Sequence, residues 1–89
     1  MKIKLEIEPR EHYSRYVFGS AIYSEEPNDI DVAIIYDKKY IRTKDAIAYR
    51  RELVDRILQL NSIMVDSILL SKEEEREMDF LTNAKCLEF

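Results

Sequence analysis

Three acids and one turn stand out as able to do chemistry: Asp29, Asp31, Asp66 and the Gly19-Ser20 pair upstream. Asp29-Ile30-Asp31 is a carboxylate pair at a spacing of two, and on a strand such residues share a face because side chains alternate. Ile30 would point the other way, into the core, and anchor the backbone that holds both acids. Two carboxylates held side by side repel unless a proton or a cation lies between them. Magnesium suits this arrangement, since it is a hard ion bound by one or two carboxylates together with substrate phosphate oxygens. Gly19 offers a bare backbone that can approach a ligand closely and present amide donors to phosphate, and the Ser20 hydroxyl adds another donor. Asp66 lies inside the apolar run Ile63 to Leu70, where an unpaired charge would be costly. A metal shared with the other two acids would compensate it.

The elements that must position these groups are legible from periodicity. Tyr16-Val17-Phe18 is a short apolar run ended by Gly19-Ser20, as expected for a strand opening into a tight turn. Ala21 to Asn28 is polar, contains Ser24, Pro27 and Asn28, and reads as a loop. Ile30 to Tyr36 is almost continuously apolar and β-branched, which predicts a central strand. Thr43 is placed to cap a helix running to about Leu60, with Ile47, Leu53 or Val54, Ile57 and Leu60 at helical spacing and Lys44, Arg50, Arg51, Glu52 and Arg56 on the other face. Ile63 to Leu70 predicts another strand. Ser71 and Glu74 then have the spacing of a capping box, which opens a final acidic helix expected to bury Met78 and Leu81. Met1 to Glu8 alternates apolar and charged residues like a half-buried strand, with a short helix from Pro9 as the competing reading. Cys86 to Phe89 fits either a last strand or a frayed end.

Phe18-Gly19-Ser20, Asp29-Ile30-Asp31 and Asp66 within Val65-Asp66-Ser67-Ile68-Leu69 together resemble the minimal nucleotidyltransferases of the DNA polymerase beta superfamily. The likeness covers Tyr16 to about Leu70. It implies that Gly19 and Ser20 hold a nucleoside triphosphate, that Asp29 and Asp31 bind catalytic metal, Mg2+, and that Asp66 helps bind metal and activate the attacking hydroxyl. The segment Ala21 to Asn28 departs from the family pattern: it is shorter and lacks the usual Arg-Gly pair. By the same resemblance the acceptor is a tyrosine on a toxin-like partner protein, as in antitoxins of this class, a transfer RNA end, or a small molecule. The fold expected is α+β and nucleotidyltransferase-like, a small mixed sheet with helices mainly on one face, in a single minimal domain over residues 1-89. A chain this short is expected to borrow acceptor recognition from a partner or from its own homodimer. The alternative from another class is a binding or regulatory partner that keeps the fold and turns over little.

Composition narrows the field further. The chain has 89 residues and a formal net charge of -4, which argues against a dedicated nucleic-acid binder, so RNA is not the favoured ligand. There is one glycine, against roughly six at an average usage of about 7%, so its position beside the acids carries weight. A single cysteine, Cys86, allows no internal disulfide, and no signal peptide or membrane span is apparent, so a soluble, cytoplasmic protein is expected. Six basic residues lie between Lys38 and Arg51 (Lys38, Lys39, Arg42, Lys44, Arg50, Arg51) and read as a solvated helix face, unless they border the site and steer phosphate. Glu73-Glu74-Glu75 suits a helix N-terminus rather than a metal site. His12 reads as a surface residue. Tyr23, in the loop beside the acids, reads as a packed loop residue, with base stacking or modification as the alternatives.

Overall fold

The computed structural model describes residues 3–89. The chain folds as α+β in the order β1 (Tyr13–Phe18), α1 (Ser20–Tyr23), β2 (Asp29–Tyr36), α2 (Thr43–Asn61), β3 (Met64–Ser71), α3 (Lys72–Met78), α4 (Phe80–Asn83) and β4 (Cys86–Glu88). The strands form one mixed sheet in the order β3-β2-β1-β4, in which β2 runs parallel to β3 and β1 runs antiparallel to both β2 and β4. The expected central strand, β2, is interior to the sheet, and the ambiguous C-terminal segment forms β4.

Alternation sorts β2 into two faces. Ile30, Val32 and Ile34 pack with Val17 and Ala21 beneath Tyr49, Leu53 and Ile57 of α2. Fully burying an aliphatic side chain of this size stabilises by about 1.5–3 kcal/mol, so this cluster carries most of the helix-to-sheet adhesion. The buried face of α2 is Ala46, Tyr49, Leu53 and Ile57. Ile47, expected on that face, is instead 46% exposed, because the helix is rotated so that Ala46 and Tyr49 meet the sheet. The expectation of helices mainly on one face holds for α2. The opposite face, which carries Phe18 and Asp31, receives α4 through an edge-on contact of Phe80 with Phe18.

Three further expectations need correction. Ile3 to Glu8 (Met1 and Lys2 lie outside the described residues) is not a strand and no helix follows Pro9. Its alternation is kept, with Ile3, Leu5 and Ile7 half-buried against the core, but side chains replace the ladder. Asn61 bonds both the amide and the carbonyl of Lys4, while the buried Arg15 donates to the carbonyls of Ile7 and Glu8. Arg15 also donates to the Phe89 carbonyl and lies over its ring, so one guanidinium ties the segments at both ends of the chain to β1. Ala21 to Asn28 is not all loop, because Ala21 turns into the core and Ser24 bonds back to the Ser20 carbonyl, closing the single turn of α1. The final helix forms with the predicted capping box, in which Ser71 and Glu74 bond reciprocally. It stops at Met78, where Asp79 adopts a left-handed backbone, and this leaves Met78 52% exposed while Leu81 is half-buried. No helix among the described residues is long and apolar enough to cross a membrane.

Candidate functional site

Strand direction brings the singled-out residues to one end of the sheet. Because β2 and β3 are parallel, Asp29 and Met64 begin them side by side, and Asp31 and Asp66 are direct partners across the two strands. The antiparallel β1 ends at that place, with Phe18 opposite Asp31. Gly19 follows immediately. A parallel pair and an antiparallel pair sharing β2 therefore deliver three acids and the glycine turn from three separate segments.

Gly19 has φ +75° and ψ −153°, a backbone conformation that side chains other than glycine's rarely adopt. A Cβ placed there would lie 2.5 Å from Asp31 Oδ2. The only glycine of the chain is thus required twice, by its backbone angles and by the carboxylate pressed against it. Ser20 and Tyr23 lie on the side of α1 away from Ala21, and both are exposed.

Asp31 is half-buried, and burial pushes its pKa up, with the neighbouring charges of Asp66 and then Asp29 pushing in the same direction. None of the three carboxylates makes a hydrogen bond or ion pair with a described residue. Burial of Asp66 does not create this situation, contrary to the expectation from its apolar surroundings. β3 is the edge strand, Asp66 is exposed, and the desolvation falls on Asp31.

The donor chemistry fits a hard divalent cation: carboxylate oxygens only, excess negative charge, and one acid held partly out of water by its strand. Among the described residues no group of three or more His, Cys, Asp or Glu side chains is placed to hold a metal ion. A cation here would be held by Asp31 and Asp66, with Asp29 alongside, and would complete its shell with water and substrate oxygens.

The first part of the basic stretch does not border this site. Lys38, Lys39, Arg42 and Lys44 follow the far end of β2, seven strand steps of about 3.3 Å each from Asp29. Arg50 is committed to β3, donating to the Ser67 hydroxyl at 2.7 Å and to its carbonyl at 3.2 Å. His12 also lies at the far end, stacked on Tyr40, so it takes no part. Lys85, which sequence reasoning assigned no role, is exposed and precedes Cys86, the partner of Phe18 across β1 and β4, so its backbone lies at the same end of the sheet as the acids. Only the assignment of the tail as a strand could have revealed it. Two grooves, of about 700 and 520 Å3, lie where Arg10 and the N-terminal segment meet Tyr49 and Glu52 of α2, and the carboxylates line neither.

Comparison of the chain with family models, with curated proteins and with solved structures gave no match.

Proposed function

We propose that the protein is a metal-dependent nucleotidyltransferase that moves a nucleoside monophosphate from a nucleoside triphosphate to a hydroxyl acceptor. The observation that carries this reading is the closeness of Gly19 to Asp31, whose carboxylate an added Cβ would strike, with Asp31 itself paired across the strands with Asp66. A glycine turn suited to phosphate and a carboxylate pair suited to Mg2+ are then parts of one site. Gly19 and Ser20 would hold the triphosphate through backbone N–H groups and the Ser20 hydroxyl. Asp31 and Asp66, with Asp29, would hold the cation. When bound, Mg2+ would neutralise phosphate charge and bring the reacting oxygens into line. Asp66, exposed at the sheet edge where an acceptor arrives from solvent, takes the hydroxyl proton. The acceptor oxygen then bonds to the α-phosphorus, the bond from that phosphorus to its bridging oxygen breaks, and pyrophosphate leaves with the electron pair. The acceptor is proposed to be a partner-protein tyrosine or an RNA end, and the setting cytoplasmic.

The test is transfer of label from α-labelled nucleoside triphosphates with Mg2+, with and without cell extract. Label should reach a macromolecule and should fall by about 10²–10³-fold or more in Asp31→Asn and Asp66→Asn. Transfer equal to wild type in both variants, or no Mg2+-dependent triphosphate binding, overturns the reading. One observation favours the alternative of a binding or regulatory partner: two open grooves lie along the N-terminal segment and α2, away from the acids. That alternative expects a stable complex with a second protein whose formation is unchanged in Asp31→Asn.

A further inference from the structure

α2 has a second apolar stripe that the described residues leave partly exposed. At 100° per residue, Val54 and Leu58 fall within about 20° of the line through Ile47, roughly a third of a turn from the buried line of Tyr49, Leu53 and Ile57. Ile47 is 46% exposed, Leu58 44% exposed, and Val54 between them half-buried. Arg50, bonded to Ser67, marks the side of the stripe nearest the edge strand β3. On the other side stand Arg51 and Asp55. They are opposite in charge, four residues apart, and neither bonds to a described residue.

Such a stripe is self-complementary in one orientation only. If two copies of α2 lie antiparallel about a two-fold axis passing between Arg51 and Val54, Ile47 of one meets Leu58 of the other, and Arg51 comes within reach of the other copy's Asp55. Both contacts occur twice. A parallel arrangement would instead carry Arg51 and Asp55 of the two copies to opposite flanks of the seam, so that neither charge would find its opposite. Two-fold symmetry of this kind makes one patch serve as both halves of the interface. Strand pairing along β3 is disfavoured at its middle, where the guanidinium of Arg50 already occupies the Ser67 carbonyl.

We infer that the protein self-associates as a two-fold dimer through the Ile47-Val54-Leu58 stripe of α2, with Arg51 and Asp55 exchanged between copies. This inference does not depend on the nucleotidyltransferase reading. Sedimentation of the full chain from about 1 µM to 1 mM should show a concentration-dependent rise from the 10.6 kDa monomer to twice that mass. Ile47→Asp and Leu58→Asp should each weaken the dimer by about 100-fold, with helix content by circular dichroism unchanged because both positions are exposed. Arg51→Asp alone and Asp55→Arg alone should weaken it by about 10-fold, and the two together should restore it to within about threefold of wild type. A monomer across the whole range overturns the inference, as does a dimer indifferent to Ile47→Asp and Leu58→Asp or a charge-swapped pair no better than its parents.

Discussion

Asp31 and Asp37 belong to the same stretch of chain, one inside β2 and one just past its end, yet the fold treats them oppositely. Asp37 accepts the Lys39 amide and the Lys72 ammonium, and those partners hold its carboxyl below the usual range. Around it the far end of the sheet is closed by hydrogen bonds: the Asp37 amide to the His12 carbonyl, Tyr36 to Thr43, and the reciprocal pair of Ser71 and Glu74. Asp31 has no such partner and faces two other acids, which with burial push its pKa up. A chain that satisfies its polar groups at one end and leaves three acids unsatisfied at the other has not run out of donors, since exposed lysines and arginines are plentiful. The open end is where an outside cation would do what Lys72 and the Lys39 amide do for Asp37.

The largest test of this contrast is at Gly19. Gly19→Ala should destabilise the fold by about 1–3 kcal/mol, since the left-handed backbone and the Asp31 contact both oppose a Cβ. Thermal or urea unfolding measures it. Adding Asp31→Ala removes the carboxylate that the new methyl group meets, so the double variant should regain part of the loss and keep the part due to backbone angle. If the double variant is as unstable as the sum of the single changes, Gly19 and Asp31 are not coupled and the site is looser than described.

The corresponding test at the closed end is smaller. Ser71→Ala removes the side-chain acceptor for the Glu74 amide and should cost about 1 kcal/mol. Chemical denaturation should show this loss with and without Mg2+, because Ser71 sits seven strand steps beyond Met64. A loss that depends on Mg2+ would break the division between the two ends.

Much of this division was legible in the sequence. The spacing of Asp29 and Asp31, the apolar run to Tyr36 and the capping box of Ser71 and Glu74 are local patterns, and each appears where it was expected. What depends on long-range pairing was not legible. Nothing in the residues near Asp66 says that β3 is an edge strand, so its exposure was misjudged, and nothing near Lys38 to Lys44 says that β2 carries them away from the acids. The alternation of Ile3, Leu5 and Ile7 was read correctly as burial and wrongly as a strand, because a buried arginine and an asparagine far along the chain supply the hydrogen bonds. Periodicity reports which side chains face the core. It does not report which groups satisfy the backbone.

The two aspartates also make the smallest and most specific prediction, through their opposite slopes against pH. Asp37 has a folded pKa below its unfolded value, so its ionised form stabilises the fold above the ordinary carboxylate range, and that contribution is lost as pH falls through the folded value. Asp31 has a folded pKa above its unfolded value, so the folded state binds more protons in the window between the two, and stability falls as pH rises through it. At pH 7 without Mg2+, Asp31→Asn should therefore raise the melting temperature and Asp37→Asn should lower it. In a chain of this size about 1 kcal/mol corresponds to about 4–8 °C, so a shift of a few degrees for Asp31→Asn is measurable by calorimetry. As pH falls, the Asp31 difference should shrink first, because its carboxyl protonates above the usual range, and the Asp37 difference should persist until pH drops below its lowered folded value. Mg2+ at neutral pH should stabilise the wild type and Asp37→Asn but not Asp31→Asn, because only the acidic end gains by binding it. Equal stabilisation of all three by Mg2+ would show that the unsatisfied carboxylates are not where the cation goes.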